Sequence, residues 1–261
     1  MSNARISTST KAIVPGPLST GAVHVWFLDG TPPAEPGWLQ PLDDQERERA
    51  MAFRTPAQRD GFIAAHALVR TALSAYGDRA PGEWRFAISP HGQPTVLDAS
   101  ELSFSLTHAG ERAAVAIGPG QAIGLDLEPI RPDRDPLPLA RRFFGGAEAE
   151  WLIGLSPRER PSGFAALWTV KEAVLKARGC GLTEPLISVE IEIDPSGRPV
   201  GVDGPGAPWA ICSWSPEPGW FAAVAVQATG PLTVRTFRAR PLTPPLPAPE
   251  LAPERSPGRA R

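Results

Sequence analysis

Only two cysteines occur in the 261-residue chain, Cys180 and Cys212, and no spacing repeats between them. That excludes a disulfide framework and a cysteine-based metal cage, and it fits a reducing compartment, so the expected location is cytoplasmic. Four histidines, His24, His66, His91 and His108, lie too far apart for a zinc signature. No apolar run approaches the roughly 18 residues that cross a bilayer. The first twenty residues, MSNARISTSTKAIVPGPLST, carry no apolar core of a secretory signal. Charge of one sign is also missing: the net is −2, with no basic stripe. A polyanionic partner such as nucleic acid is therefore not expected, whereas a small anion held by a few local cations is.

What is present is ordinary globular material, 42% hydrophobic and 21% charged, enough for a core without staples. The length suits one large domain or two packed halves. Residues 1–20 are polar and small and read as a disordered tail; residues 239–261 are proline-rich and read as a second one. The first half, 21–121, opens on a β-like run, AVHVWFL (22–28). Helical patterns follow near 43–53 and 57–76, then short strands at 83–89, 102–108 and 112–117. GPGQ (118–121) reads as a hairpin turn into the strand AIGLDLE (122–128). The second half, 122–238, repeats the plan: helices over about 139–153 and 160–178, then strands at 187–193, 209–214 and 221–227. RAAVAIGPG in one half is echoed by FAAVAVQATG in the other. The expected fold is α+β, two similar pseudo-duplicated α/β halves, with a site in the cleft between them.

Three stretches carry chemistry. In IGLDLE (123–128) the alternation puts Gly124, Asp126 and Glu128 on one face of a strand, with the two acidic α-carbons roughly 6–7 Å apart. Two carboxylates at that spacing can converge on a hard cation, and Gly124 leaves room for a ligand to approach the backbone. The same pattern also describes a strand with one wet face. On a helix over 164–178, Phe164, Leu167, Trp168 and Leu175 form a stripe with Lys171 inside it. A lysine so placed needs an anion, either a nearby carboxylate or a ligand phosphate. Glu172 and Lys176 lie one turn apart on the flank, the order that also suits a surface ion pair. The third stretch, FSLTHAG, ends a strand with His108 at its tip beside Thr107. It lacks a nucleophile elbow, so phosphate binding or a polar cap suits it better than covalent catalysis.

In order, SLTHA (105–109), IGLDLE (123–128) and WTVKEAVLK (168–176) resemble the Sfp-type 4'-phosphopantetheinyl transferases across roughly residues 43–227. That family shows a Ser-His strand end, then G-x-D-x-E, then W-x-x-K-E-x-x-x-K. The resemblance implies transfer of the phosphopantetheine arm of coenzyme A to a serine of an acyl or peptidyl carrier protein, with release of 3',5'-ADP. It further implies Mg²⁺ held by Asp126, Glu128 and Glu172. Glu172 becomes the candidate base, directly or through water, and Lys176 the group that stabilises or protonates the departing phosphate. Thr107 and His108 would take the 3'-phosphate of coenzyme A, and Lys171 would hold an anion near the cleft. HGQPTV (91–96) stands where the family has a glycine, a lysine or arginine, and a proline, so Gln93 would make that phosphate contact without a charge. Gly61 stands where a second arginine is common, with Arg49 and Arg59 available to compensate. Leu139, Phe143, Phe144 and Trp151, rimmed by Arg141 and Arg142, are candidate carrier contacts. The resemblance implies a monomer. The alternatives are a degenerate member that binds without turnover and a Mg²⁺-dependent phosphodiesterase using the same carboxylates.

Overall fold

The computed structural model describes residues 5–9, 15–16, 18–28, 36–89, 92–180 and 183–241. Of the proline-rich tail expected over 239–261, residues 242–261 lie outside them, as does half of 1–20. Within that N-terminal stretch, however, β1 (Arg5–Ser9) is a strand, so the reading of 1–20 as a disordered tail is corrected there.

Four layers stack. The outermost is α2 (Pro56–Leu73), begun by Thr55, whose side chain accepts from the backbone N–H of Gln58, and by Pro56 at its first position. It packs on a five-stranded sheet in the order β1, β12 (Thr233–Ala239), β2 (Ala22–Leu28), β6 (Arg112–Gly118), β5 (Ser103–Ala109). The next layer is a three-stranded antiparallel sheet, β10 (Trp209–Trp214), β11 (Trp220–Gln227), β7 (Ile123–Pro129). The last is α5 (Arg160–Arg178) with α3 (Leu137–Phe143) and α4 (Gly146–Gly154). Two small hairpins, β3–β4 (Phe86–Ile88, Pro94–Val96) and β8–β9 (Glu190–Ile193, Pro199–Asp203), and α1 (Asp44–Met51) complete the strands and α-helices among the described residues.

Period-two alternation assigns each strand residue to a layer. In β6, Ala113, Val115 and Ile117 join the core under α2, while Ala114 and Ala116 face the second sheet. In β11, Ala222, Val224 and Val226 meet the first sheet, while Ala223 and Ala225 lie under α5. The side chains of Ile123, Leu125 and Leu127 of β7 bury between the sheets, which leaves Gly124, Asp126 and Glu128 on the α5 side.

Several sequence expectations change. GPGQ is not a hairpin turn: β6 pairs with β2 and β5, whereas β7 pairs with β11, so the chain crosses between sheets there. The helix expected over 139–153 is two, α3 and α4, parted at Phe144 and Gly145. β12 (Thr233–Ala239), placed by sequence in the second half up to residue 238 and in the disordered tail at Ala239, pairs in parallel with β2 and β1 of the first half's sheet. The helix over 160–178 forms as expected and ends at Gly179, whose φ of 68° is the left-handed cap that glycine adopts without strain.

Candidate active site

The edges of the two sheets meet where β5 runs beside β7. The Ser105 hydroxyl accepts the Leu125 N–H at 3.0 Å, stitching one sheet to the other. Against this seam lies α5, brought in close because β7 carries a glycine. A Cβ on Gly124 would stand 1.8 Å from the Ala173 carbonyl oxygen and 2.6 Å from the Ala177 nitrogen. Gly124 therefore serves the approach of a helix backbone rather than of a ligand, which corrects the sequence expectation.

That approach sets Lys176 over Asp126. Its ammonium lies 2.6 Å from Asp126 Oδ1 and donates to Thr107 Oγ1 and the Leu125 carbonyl, each at 3.2 Å. Thr107 in turn donates to Asp126 Oδ1 at 3.2 Å. Asp126 is 4% exposed, and its second oxygen, Oδ2, is buried without a hydrogen-bond partner. Such an orphan is costly unless a cation or donor completes it. Burial and the Asp126 charge push Glu128 up to about 7, against the pull of Lys176 and Arg131. Burial and Asp126 likewise raise Glu172. The three acids thus sit in one another's field, with Lys176 the cation they share.

They do not converge as a cage: among the described residues, no group of three or more His, Cys, Asp and Glu side chains is placed to hold a metal ion. The positive charge at Asp126 is the Lys176 ammonium. The donor chemistry nevertheless suits a hard divalent cation, being carboxylate throughout with Asp126 Oδ2 left over.

Beside this cluster opens a cavity of about 410 Å³, walled by α1, α2, the β3–β4 hairpin, β5 and the end of α5. Arg49, His66, Gln93, His108 and Lys176 reach it, together with Phe62, Phe86 and Phe104. His108 also borders a second cavity of about 590 Å³ lined by Phe53, Gly61 and Glu111. Burial, then the charges of Lys176, His66 and Arg49, lower the His108 pKa, which favours a neutral imidazole at its mouth.

The expected coenzyme-binding set divides. Arg49, Gln93 and His108 line the first cavity. Thr107 is 3% exposed and its hydroxyl is spent between Lys176 and Asp126, so it is no phosphate ligand in this arrangement. Arg59 bonds Asp60 at 2.9 Å and lines neither cavity. Lys171 is fully buried, 2.8 Å from Glu148 Oε2, donating to the Leu186 and Val189 carbonyls beneath the Phe144 ring. Of the two anions the sequence allowed it, the carboxylate is the one present. Glu148 was missed in the sequence; its carboxylate also accepts the Gly145 and Ile191 N–H groups, each at 2.7 Å, tying α4, α5 and β8 together.

Also missed was the support of the cavity wall. Asp43 and Glu46 cap α1 reciprocally, a pattern legible in DDQE. Both carboxylates are gripped by the fully buried Arg70, at 3.1 and 2.7 Å, and Glu46 also holds His66 Nδ1 at 2.8 Å. Nothing in the spacing of Arg70 announced that role.

A family model described as the 4'-phosphopantetheinyl transferase superfamily matches residues 122–225. The 4'-phosphopantetheinyl transferase HetI of Nostoc sp. is 33% identical over 218 residues, 82% of this chain and 91% of its own length. The chain belongs to the 4'-phosphopantetheinyl transferase superfamily. The Sfp transferase of Bacillus subtilis is 29% identical over 199 residues, covering 71% of this chain and 87% of its own. The AcpT transferase of Salmonella typhimurium is 29% identical over 133 residues, 51% of this chain and 65% of its own. The superfamily match begins at Ala122 and spans β7 and α5, the two elements that bring Asp126, Glu128, Glu172 and Lys176 together.

Proposed function

We propose that this protein transfers the phosphopantetheine arm of coenzyme A to a serine of an acyl or peptidyl carrier protein, in a Mg²⁺-dependent reaction that releases 3',5'-ADP. The observation that carries the reading is one juxtaposition. On α5, Glu172 and Lys176 stand one turn apart over Asp126, whose Oδ2 has no hydrogen-bond partner, and Lys176 also opens into the cavity lined by Arg49 and His108.

Arg49 and His108 would receive the nucleotide end of coenzyme A in the first cavity. Asp126, Glu128 and Glu172 would hold Mg²⁺, which neutralises charge developing on the pyrophosphate. The carrier's serine oxygen forms a bond to the phosphorus bearing the pantetheine arm. The bond from that phosphorus to the bridging oxygen of 3',5'-ADP breaks, and the hydroxyl proton passes to Glu172, directly or through water. Lys176 faces the charge that leaves with the nucleotide. In-line displacement needs this division between a base and a cation. The carrier would dock by α3, where Leu139 is 47% exposed beside exposed Arg141 and Arg142; those arginines suit an acidic carrier helix. Phe144, 3% exposed and stacked on Phe164, belongs to the core instead.

The test is incubation with apo carrier, coenzyme A and Mg²⁺, followed by intact-mass measurement of the carrier. Gain of one phosphopantetheine, lost in Glu172→Gln, is the expected result. Coenzyme A binding without any mass gain across acyl and peptidyl carriers would refute the transfer and favour a binding-only member.

A further inference from the structure

Gln93 occupies the position at which the family carries a cation, yet its side chain is committed elsewhere. It closes the turn between β3 and β4, where its own backbone is fixed at both ends: its carbonyl accepts the Ser89 N–H at 2.8 Å, and its N–H donates to Ser89 Oγ at 3.1 Å. From there the amide reaches across the cavity wall, and Nε2 donates to the carbonyl of Lys176 at 2.8 Å. That carbonyl lies in the last turn of α5, where carbonyls have no N–H four residues on to bond. It otherwise receives the Gly179 N–H at 3.0 Å. Gly179 gives the amide its room, since a Cβ there would stand 2.5 Å from Gln93 Oε1. Lys176 is thus held twice, its main chain by Gln93 and its ammonium by Asp126, Thr107 and the Leu125 carbonyl.

We propose that Gln93 is a positioning residue for the transfer reaction: it pins the backbone of Lys176 and joins the β3–β4 hairpin to the end of α5, rather than contacting a phosphate. This rests on the transferase reading for its kinetic consequence but not for its structural one. The amide supplies that donor with no charge of its own.

Two variants and two measurements test it. Gln93→Leu keeps the bulk and removes the donor; Gln93→Lys restores a donor. Gln93→Leu is expected to lower kcat about five- to tenfold, the worth of one neutral hydrogen bond, with KM for coenzyme A within about twofold. Gln93→Lys is expected to recover most of that loss. In hydrogen exchange, the Gly179 amide and the hairpin amides of Gln93→Leu should exchange about tenfold faster than in the parent. A raised KM at unchanged kcat would make Gln93 a ligand contact and overturn the proposal, as would unchanged exchange at Gly179. Were the parent protein to transfer nothing, the functional reading would fail while the exchange measurement still decided the role of Gln93.

Discussion

Replacing Gly124 by alanine is the sharpest perturbation of the seam between β7 and α5. The added methyl would sit 1.8 Å from the Ala173 carbonyl oxygen, where non-bonded heavy atoms settle near 3.5 Å. Both colliding groups are backbone, so no rotamer relieves the contact; α5 must retreat by about 1.5 Å. The Lys176–Asp126 contact of 2.6 Å would then open towards about 4 Å, past hydrogen-bonding range. Overpacking of this kind costs about 1–3 kcal/mol, and misplacement of a reacting group by about 1 Å costs about a hundredfold in rate. Gly124→Ala is thus expected to lose about 3 kcal/mol in urea unfolding and about a hundredfold in transfer rate, measured by carrier mass. Gly154→Ala is the control, because a Cβ on Gly154 meets nothing within 4 Å. A Gly124→Ala protein that kept its stability within about 0.5 kcal/mol and its rate within about threefold would refute the close-approach argument.

Three further outcomes are expected. Lys171→Met strands the buried Glu148 charge and should cost about 3–5 kcal/mol without changing KM for coenzyme A, and adding Glu148→Gln should return part of the loss; a changed KM with intact stability would restore Lys171 to the binding site. His24 is 1% exposed, bonded through Nδ1 to the Tyr76 hydroxyl at 2.8 Å, and pushed by burial and Arg235 down to about 4 from its ordinary 6.5. Its contribution is complete above about pH 6.5 and is lost as pH falls towards 4, amounting to about 3 kcal/mol; urea unfolding at several pH values should show a flatter acid limb in His24→Gln than in the parent. Glu128 at about 7 must release its proton to receive a metal ion. Magnesium affinity by calorimetry should therefore fall about tenfold per pH unit below neutrality, and a flat profile from pH 6 to 8 would remove Glu128 from the ligand set.

What the sequence made legible follows period. The alternation of IGLDLE and the stripe of the last long helix put Asp126, Glu128, Glu172 and Lys176 on the correct elements and faces, because local geometry determines them. Partner choice was not legible. Lys171 signalled a buried anion, but nothing in LARRFFGGAEAEWL distinguished Glu148 from its exposed neighbours. Arg59 and Asp60 are adjacent, and their pairing removed a cation that sequence position alone had offered to the ligand. Gln93 and Lys176 lie 83 residues apart, so their bond had no local trace. GPGQ carries turn chemistry that a hairpin and a change of sheet share. The strand TVRTFRA was overlooked because prolines bracket it and its neighbours are residues from the other end of the chain.

That last strand has a consequence for biosynthesis. β12 enters between β1 and β2, bonded to both in parallel, so the N-terminal sheet stays split until Thr233–Ala239 has left the ribosome. Its two flanking strands must wait with exposed edges for a partner some two hundred residues downstream, a separation that slows folding and invites mispairing. Expression of residues 21–121 alone should accordingly yield aggregate rather than a soluble fragment, and a stop codon before Thr233 should be as damaging as a lesion at the proposed active site.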